Sequence, residues 1–417
     1  MNLKQSEPMK QTRDTKPHIG IFGRRNYGKS SFINAMAGQE IAIVSGIAGT
    51  TADPVRKSIE IPQLGPVVMI DTAGIDDSGE LGAKRVAKTR EVLSQIDLAL
   101  LLIIGNELED IEKELIKDFR KAGLPFVIIH NKSDKQPLDP DFARVLEERF
   151  SVPVLDFSSL HPGRSENVIQ SIRENMPETA YTKRPLVGDL ISQGDTVLLI
   201  TPIDIEAPEG RMILPQVQVI RDVLDNDGIC VVCKEREVDA YIRKMQPKPA
   251  LAITDSQVFP KADAAVPKDI PLTSFSIVLA RQKGDFENYL KGTPEISNLR
   301  SGDRVLILES CTHHVSCDDI GRMKIPRWIS NFTGKELSFD VVAGLSAMQR
   351  PVTDYALVIQ CGGCMITRRQ LLNRLKPAVD AGIPVTNYGM AIAWVHGIYQ
   401  RAIAPFTGKG GDKSQYI

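Results

Sequence analysis

The chain has 417 residues, more than one hydrophobic core usually holds, so we expect two or three domains. A charged fraction of 25%, an apolar fraction of 42% and a net charge of -1 indicate a globular protein without an overall attraction to nucleic acid. No apolar run reaches membrane-spanning length and no signal-peptide pattern opens the chain, so we expect a cytoplasmic protein that acts on neither membrane nor nucleic acid. Residues 1–17 are predicted to form a flexible polar arm.

A glycine-rich segment at 23–30 (Gly-Arg-Arg-Asn-Tyr-Gly-Lys-Ser) lies between a strand pattern at 18–22 and a helical pattern at 31–37. This is the context of a phosphate-binding loop, in which backbone N–H groups and a helix N-terminus bind phosphate. Lys29 is expected to reach the β- and γ-phosphates, and Ser30 to ligate Mg²⁺. The alternative is a chance match in an ordinary strand–helix turn.

Two later strand ends complete the prediction of a guanine-nucleotide site. The first, Asp71-Thr72-Ala73-Gly74, is expected to hold Mg²⁺ through water bound to Asp71 and to contact the γ-phosphate through the Gly74 N–H group. The second, at 130–134, ends in Asp134, whose carboxylate can accept the N1–H and N2–H₂ donors of guanine, a pair that adenine lacks. The predicted nucleotide is therefore GTP rather than ATP.

Three further segments are assigned by their position relative to these motifs. Ser158 and Ser159 fit the last base-contacting loop, and Thr51, in a first switch at 49–51, is expected to complete the Mg²⁺ shell. A second switch is predicted at 79–92. The residues expected to act in hydrolysis are Lys29, Thr51 and Gly74. The predicted nucleotide-binding residues are Gly23, Asn26, Tyr27, Gly28, Lys29, Ser30, Ser31, Asp71, Gly74, Asn131, Lys132, Asp134, Ser158 and Ser159.

The order of these motifs resembles that of the translation-factor-like GTPases of the TrmE–Era type. Ile75 follows Gly74 where Ras-like GTPases carry a water-orienting Gln, and an apolar side chain cannot position water, so we expect slow intrinsic hydrolysis. In TrmE-like GTPases an Asn at the position of Asn26 helps to bind K⁺, which replaces an arginine finger, so the resemblance implies K⁺ stimulation. The alternative is that Asn26 only favours the turn.

The chain is predicted to be an α/β protein of three domains. Alternating strand and helix patterns over 18–178 predict a doubly wound parallel sheet, the GTPase domain. A polar, proline-bounded stretch leads to an α/β unit over 184–272, which shows no catalytic constellation and is interpreted as a dimerisation domain. The remainder, 273–417, is predicted to be an α/β domain that binds a metal centre, with a disordered tail from residue 408.

A helix over 210–224 is expected to place Val217, Ile220 and Leu224 on one apolar face. Strands of the middle region are predicted at 196–200, 229–233, 251–254 and, from an apolar run, 275–279. Later in the chain, the patterns predict strands at 304–309 and 355–359, a helix at 371–381 and a strand end at 384–388.

The six cysteines carry the remaining chemistry. A reducing cytosol disfavours disulfides and so favours metal or redox roles. Cys230 and Cys233 lie three residues apart in a predicted strand and point to opposite faces, so we interpret them as core residues rather than metal ligands.

Cys311-Thr312-His313 and Cys361-Gly362-Gly363-Cys364 each follow the end of a predicted strand, where α/β sheets build their sites. We therefore expect them to share one metal centre. Three cysteines leave one position of a four-iron cluster without a cysteine ligand. A zinc site that uses His313 as its fourth ligand is one alternative. A catalytic Cys–His pair is another, although nothing else in the loop supports acyl transfer.

The union of the GTPase motifs with Cys311, His313, Cys361 and Cys364 resembles the family of FeFe-hydrogenase maturation GTPases, HydF, over essentially the whole chain. One residue departs from the family pattern. The family usually has His directly before the Cys-x-x-Cys segment, whereas this chain has Gln360. An amide is a poor iron ligand, so we transfer no ligand role to Gln360.

The resemblance implies a scaffold protein that uses GTP, Mg²⁺ and K⁺. It implies a 4Fe–4S cluster on Cys311, Cys361 and Cys364, with His313 as a further candidate ligand. It also implies a transient di-iron precursor bearing CO, cyanide and a bridging dithiolate, supplied by two radical-SAM maturases and passed to apo FeFe-hydrogenase. The middle domain is expected to form a homodimer, and GTP turnover to regulate partner exchange.

A second function class fits the motifs as well. An RNA-modification or ribosome-assembly GTPase could carry the same nucleotide site together with a structural zinc domain. The charge balance of the chain counts against this alternative, because a nucleic-acid-binding surface is usually basic. The colour of the anaerobically purified protein separates the two, since an iron–sulfur protein is brown and a zinc protein is colourless.

Overall fold

The computed structural model describes residues 16–37, 45–47, 55–61, 65–74, 92–161, 165–177, 180, 184–202, 212–310, 319–346 and 348–407. The chain divides into two compact units, Met1–Thr182 and Lys183–Ile417. Several predictions fall outside the described residues: the arm over 1–15, Thr51, Ile75, most of the second switch, Cys311, His313 and the tail from 408.

The first unit is built on a seven-stranded sheet of order β2-β3-β4-β1-β5-β6-β7. Its strands are β1 His18–Phe22, β2 Ser45–Ile47, β3 Val55–Ile61, β4 Gly65–Asp71, β5 Leu98–Ile103, β6 Phe126–His130 and β7 Val154–Asp156. The pairs β2–β3 and β3–β4 are antiparallel and the other pairs are parallel. Because the chain order reverses at β1, the carboxyl end of that strand lies at a topological switch point, where α/β sheets bind ligands.

Helices, numbered in chain order among the described residues, flank this sheet: α1 Lys29–Met36, α2 Asp110–Lys121, α3 Pro140–Phe150 and α4 Ser165–Asn175. Alternate side chains of β1 enter different cores, with Ile19 and Ile21 in one cluster and Phe22 in the other. A strand buried on both faces is typical of a sheet covered by helices on both sides. The predicted doubly wound sheet is confirmed.

Two helix starts in this unit follow from local sequence. At α2 the carboxylate of Glu112 accepts the backbone N–H of Glu109 at 3.1 Å, which satisfies a donor that the helix leaves free. At α3 the side chain of Asp139 accepts the N–H of Asp141 at 2.9 Å, and Pro140 occupies the first helical position, where no N–H is needed. Both starts lie on the edge of the sheet that carries the predicted site.

The second unit contains two four-stranded, all-parallel sheets. The first has the order β11-β10-β8-β9, with β8 Thr196–Ile200, β9 Ile229–Cys233, β10 Leu251–Thr254 and β11 Leu272–Ser274. The second has the order β13-β12-β14-β15, with β12 Arg304–Leu308, β13 Ser338–Val342, β14 Leu357–Gln360 and β15 Val385–Asn387.

The described helices of this unit are α5 Leu214–Asp225, α6 Val238–Ile242, α7 Phe259–Ala265, α8 Phe275–Lys283, α9 Phe286–Gly292, α10 Ile325–Thr333, α11 Arg368–Asp380, α12 Tyr388–Val395 and α13 Tyr399–Thr407. One hydrophobic cluster joins the two sheets. It contains Leu198 of β8 and Leu272 of β11 together with Leu306 of β12 and Val385 of β15. The two sheets therefore share a core.

The apolar run at 275–279 was predicted as a strand, and this prediction is wrong. The run begins helix α8, whose first turn is capped by the Ser274 hydroxyl, which accepts the N–H of Ile277 at 3.4 Å. Ile277 joins the shared core and Phe275 joins a second cluster, so the helix is buried on more than one side. A short run of mostly apolar residues has no clear period by which a helix can be told from a strand.

The helix predicted over 210–224 is present as α5, but the apolar face expected to be buried is largely exposed. Val217 and Leu224 are 48% and 55% exposed, whereas Val219 and Val223 are fully buried. Helical spacing places both sets on regular stripes, and packing of the chain against β8 and β9 selects the second. The first stripe is left at the surface of the unit.

No helix among the described residues has both the length and the apolar content needed to cross a membrane.

Candidate functional site

The phosphate loop, defined here as Gly23–Ser30, connects β1 to α1. Gly23 and Gly28 have φ angles of 148° and 84°, a region that side chains rarely adopt. A Cβ atom on Gly23 would lie 2.7 Å from the Leu102 carbonyl oxygen, and one on Gly28 would lie 2.6 Å from Asn131 Nδ2. Both positions therefore require glycine, as the sequence pattern predicted.

Lys29 and Ser30 begin α1 at the end of this loop. The Lys29 side chain is buried, and its Nζ donates to the carbonyls of Gly23 at 2.9 Å and Arg24 at 2.8 Å, so that it closes the loop on itself. The Ser30 hydroxyl donates to Asp71 Oδ2 at 2.5 Å, because β1 and β4 are in register with Ile21 opposite Asp71. The two described side chains predicted for the Mg²⁺ shell are thus in contact.

The base loop, defined here as Asn131–Asp134, follows β6 and is joined to the phosphate loop. Asn131 Nδ2 donates to the Tyr27 carbonyl at 2.9 Å, and Lys132 Nζ donates to the Asn26 carbonyl at 2.6 Å. Asn26 and Lys132 both adopt positive φ, at 63° and 62°. Side chains predicted to contact the base therefore also hold the loop predicted to contact the phosphates.

The two serines after β7 complete this edge. Ser158 Oγ donates to Asp134 Oδ1 at 2.5 Å, and Ser159 Oγ donates to Asn131 Oδ1 at 3.2 Å. The bond from Ser158 lowers the pKa of the Asp134 carboxyl, so this group stays an ionised acceptor, the state required to receive the two guanine donors. Of the other predicted residues, Ser31 lies in the first turn of α1 and Gly74 lies beyond the end of β4.

One contact at this site was not predicted. The Arg24 guanidinium binds both carboxylate oxygens of Glu112, at 2.6 and 2.7 Å, and Glu109 Oε1 at 2.5 Å. These carboxylates raise the pKa of Arg24 above its ordinary value and, in turn, Arg24 lowers that of Glu109. The two partners lie 88 and 85 residues away along the chain, so no local pattern could have indicated the pairing.

The cysteine loop, defined here as Gln360–Thr367, connects β14 to α11 in the second unit. The N–H of Cys361 donates to the Leu308 carbonyl at 3.0 Å, which continues the ladder between β14 and β12 and places Cys361 at the carboxyl edge of the sheet. The Ser310 N–H donates to Cys361 Sγ at 3.1 Å, and Gln360 Nε2 lies 3.5 Å from the same sulfur. The Ser310 hydroxyl lies 2.9 Å from that sulfur. Two N–H groups and one hydroxyl group therefore surround this sulfur.

Helix α8 also makes hydrogen bonds with the cysteine loop and with the start of α11. The Nζ of Lys283, which is buried, lies 3.3 Å from the carbonyls of both Gly363 and Ile366 and donates to them. Arg368, at the start of α11, donates to the Gln282 carbonyl at 2.9 Å. A Cβ atom on Gly362 would lie 3.4 Å from Leu279. The loop is therefore positioned by a helix that precedes it by about eighty residues, a contact that the sequence did not indicate.

The predicted metal ligands are only partly placed. Cys361 and Cys364 are described, and Cys364 packs against the cluster that contains Leu279, whereas Cys311 and His313 lie outside the described residues. Within the described ranges, no group of three or more His, Cys, Asp or Glu side chains is arranged to hold a metal ion.

Cys230 and Cys233 lie in β9, as predicted, and contact different clusters on the two faces of the sheet. Gln360 is fully buried; besides its contact with the Cys361 sulfur, its Nε2 donates to Ser310 Oγ at 3.0 Å. Its amide nitrogen, rather than its oxygen, faces the cysteine.

Three family models match the chain. The 50S ribosome-binding GTPase model matches residues 18–132, the hydrogen maturase F dimerization domain matches 186–284, and the hydrogen maturase F tetramerization domain matches 287–405. The two hydrogen maturase F models together match more than half of the chain. Helix α8 lies within the residues matched by the dimerization model.

Curated relatives match the GTPase part. The tRNA modification GTPase MnmE of Nitrosomonas europaea is 37% identical over 172 residues, which is 41% of this chain and 36% of MnmE. GTPase Der of Campylobacter jejuni is 34% identical over 181 residues, which is 40% of this chain and 39% of Der. The chain thus spans little more than a third of the length of these relatives.

Solved structures give weaker likenesses. A variant of Aquifex aeolicus Era bound to GDP and aluminium fluoride aligns with a TM-score of 0.34 and 18% identity, over 56% of this chain and 99% of Era. The G domain of the T. maritima FeoB iron transporter aligns with a TM-score of 0.31 and 19% identity, over 38% of this chain and 98% of the FeoB domain.

The sheet order, the phosphate loop and the base loop joined to it define the first unit as a P-loop GTPase. The second unit carries both domains of hydrogen maturase F. The chain belongs to the hydrogen maturase F family, the GTPases of hydrogenase maturation.

Proposed function

We propose that this protein is a GTP-hydrolysing scaffold that binds a 4Fe–4S cluster and a di-iron precursor and delivers the precursor to apo FeFe-hydrogenase. The observation that carries the proposal is the placement of Cys361 at a sheet edge, with N–H donors on its sulfur, inside a hydrogen maturase F domain. The two radical-SAM maturases and the hydrogenase are the partners that the family resemblance implies.

In the nucleotide site, Asp134 accepts the guanine donors while Ser158 orients its carboxylate. Asn131 and Lys132 fix the phosphate loop beneath the nucleotide, and the Lys29 ammonium moves from the loop carbonyls to the β- and γ-phosphates. Ser30 and Asp71, already in contact, would hold Mg²⁺, which would supply positive charge beside the phosphates.

K⁺ is proposed to assist hydrolysis near Asn26. In the phosphate loop, the guanidinium of Arg24 is engaged by two carboxylates and points towards α2, so it is not placed to stabilise the phosphates. With Ile75 in place of a water-orienting Gln, the transition state lacks two groups that other GTPases use, and a monovalent cation supplies part of the missing positive charge.

The proposed cluster ligands are Cys311, Cys361 and Cys364, with His313 as a candidate fourth. What supports this set among the described residues is that N–H groups of Ser310 and Gln360 donate to the Cys361 sulfur, and such hydrogen bonds tune the sulfur ligands of iron–sulfur clusters. A 4Fe–4S cluster with one non-cysteine position would offer an iron to which a cyanide of the precursor can bridge.

Self-association is proposed to use the surface formed by α5 and β9. Strand β9 pairs with β8 and is the last strand of its sheet among the described residues. Ile229 and Val232 on this strand are 51% and 43% exposed, and Val217 and Leu224 of α5 are exposed as well. Unpaired strand edges with apolar neighbours are suited to pairing with a second copy.

Anaerobic reconstitution with iron and sulfide, followed by metal analysis and EPR spectroscopy of the reduced protein, tests the proposed function. Cys311→Ala, Cys361→Ala and Cys364→Ala should each abolish or cripple the cluster. Cys230→Ala and Cys233→Ala are the matched controls and should keep it, because these residues lie within β9 and face different hydrophobic clusters. Normal cluster content in any of the first three variants contradicts the assignment. A colourless protein that retains zinc would instead favour a structural zinc domain.

A further inference from the structure

The Arg24 side chain leaves the phosphate loop and reaches the start of α2. Its Nε and Nη2 atoms donate to the two carboxylate oxygens of Glu112 at 2.6 and 2.7 Å, and Nη1 donates to Glu109 at 2.5 Å. The Glu112 side chain is 1% exposed and that of Arg24 is 15% exposed. A bidentate ion pair of this kind fixes the orientation of the guanidinium as well as its distance from the carboxylate.

The acceptor is itself held rigidly. The same Glu112 carboxylate accepts the Glu109 N–H at 3.1 Å as part of the helix start, so its position is set by the backbone of α2. The Arg24 guanidinium is therefore bound to a carboxylate whose own position is fixed by the backbone of α2.

Arg24 also has a role through its backbone. Its carbonyl accepts Lys29 Nζ at 2.8 Å and the Tyr27 N–H at 3.4 Å. On the other side of the loop, Asn131 and Lys132 bind the carbonyls of Tyr27 and Asn26. Hydrogen bonds thus hold the phosphate loop on two sides. Helix α2 binds it on one side and the base loop binds it on the other.

The contacts on the two sides of the phosphate loop are connected to each other through Asn106. Asn106, in the segment between β5 and α2, donates through Nδ2 to the Pro137 carbonyl at 3.0 Å and accepts the N–H of Asp139 at 2.9 Å. Pro137 and Asp139 follow the base loop. The segments after β1, β5 and β6 therefore form a closed ring of side-chain-to-backbone and ion-pair contacts.

We propose that Arg24 is a positioning residue for nucleotide binding: its bond to Glu112 fixes the phosphate loop before the nucleotide arrives. The cost of ordering the loop is then met in folding rather than in binding. GDP and GTP would occupy this one loop, and the Arg24–Glu112 bond would hold its backbone equally in the bound state and in the transition state of hydrolysis. The bond thus contributes to affinity for both nucleotides and leaves the hydrolytic step unchanged.

The experiment measures the full-length protein and four variants: Arg24→Gln, Arg24→Lys, Glu112→Gln and the double variant Arg24→Gln/Glu112→Gln. Equilibrium titration with N-methylanthraniloyl-GDP and with a non-hydrolysable GTP analogue gives the two dissociation constants, and steady-state hydrolysis gives kcat and KM. Lys113→Gln is the matched control, because it removes a positive charge from an exposed pair with Asp110 on the same helix.

Arg24→Gln and Glu112→Gln should each weaken both nucleotides about tenfold, raise KM by a similar factor and leave kcat within about twofold. The double variant should be no weaker than the weaker single variant, because both remove one interaction. Arg24→Lys should recover part of the affinity, since a single ammonium can bond Glu112 at one oxygen. Lys113→Gln should match the unmodified protein.

Unchanged affinity for GDP and GTP in Arg24→Gln overturns the proposal, and so does a double variant whose losses multiply. A fall in kcat at constant affinity would assign Arg24 to the hydrolytic step instead and would also overturn it. If Arg24→Gln fails to fold, Arg24→Lys provides the test. Wild-type nucleotide affinity in that variant would show that the bidentate bond to Glu112 is not the source of the affinity. The inference depends on nucleotide binding alone, so loss of the proposed iron–sulfur function would leave it standing.

Discussion

The phosphate loop and the cysteine loop are built alike and held differently. Each follows a parallel strand and leads into a helix, and each contains a glycine with positive φ, 84° at Gly28 and 68° at Gly363. In each, a buried lysine donates to two loop carbonyls. Lys29 belongs to its own loop, whereas Lys283 comes from helix α8, 80 residues before its first partner.

The difference separates two uses of one arrangement. A lysine inside the loop, at the start of α1, can exchange the loop carbonyls for a phosphate when a nucleotide binds. A lysine that belongs to another helix ties the loop to the part of the chain matched by the dimerization domain. The first arrangement suits a ligand that comes and goes, and the second suits a group that stays.

Removing the charge of the first lysine is the strongest test of this comparison. Lys29→Ala should weaken GTP binding by about a hundredfold or more, because it removes two charge-assisted bonds to phosphate. The same variant should still assemble the proposed iron–sulfur cluster in vitro, since Lys29 and the cysteine loop belong to different units. Iron content and nucleotide affinity are measured on one preparation, alongside hydrogenase activation in a cell that makes the other maturases. Cluster loss in folded Lys29→Ala protein would show that the two loops depend on each other.

The second test concerns the dimerization domain, whose helix α8 donates hydrogen bonds to the cysteine loop. Leu224→Asp puts a charge on the exposed stripe of α5 and should weaken self-association about thirtyfold, through loss of about 2 kcal/mol of apolar burial. GTP hydrolysis should not change. Sedimentation across a concentration series measures the association. Val145→Asp is the matched control, because Val145 is similarly exposed, at 54%, but lies on α3 of the first unit. Dimers of unaltered strength in Leu224→Asp would place the interface elsewhere.

The smallest expected effect is the dependence of GTP hydrolysis on K⁺, which tests the role of Asn26 in the phosphate loop. GTP hydrolysis should be several-fold faster in K⁺ than in Na⁺, and Asn26→Ala should remove the difference. Because Asn26 has a φ of 63°, alanine also strains the loop, so Asn26→Gly is measured beside it as a variant that keeps the backbone conformation. Loss of K⁺ stimulation in both variants assigns the effect to the side chain. Equal rates in the two salts for the unmodified protein would contradict the K⁺ role.

The two loops also differ in how far the sequence could predict them. The signals of the phosphate loop lie within eight adjacent residues and depend on local chemistry, so the strand, the glycines and Lys29 could all be placed in advance. The contacts of Lys283 and Ser310 with the cysteine loop span 80 and 51 residues. Pairings at that range depend on the packing of sheets, which periodicity does not encode.

Two errors have the same origin. The run at 275–279 is apolar except for Ser276, and its position between two sheets makes it a helix. Val217 and Val219 have similar chemistry, and only the tertiary packing of α5 decides that Val219 is buried. The pairing of Arg24 with Glu112 escaped prediction because charged residues on a helix start are common and their partners cannot be read locally.

The core shared by the two four-stranded sheets has a consequence for how this family can change. Leu272 of β11 and Val385 of β15 belong to one cluster although they lie in different matched domains. A tightly packed interior transmits a change in side-chain volume to its neighbours. Substitutions in one domain should therefore be accompanied by compensating substitutions in the other. Across homologues the two domains should be inherited as a pair, whereas the GTPase unit has two hydrophobic clusters of its own.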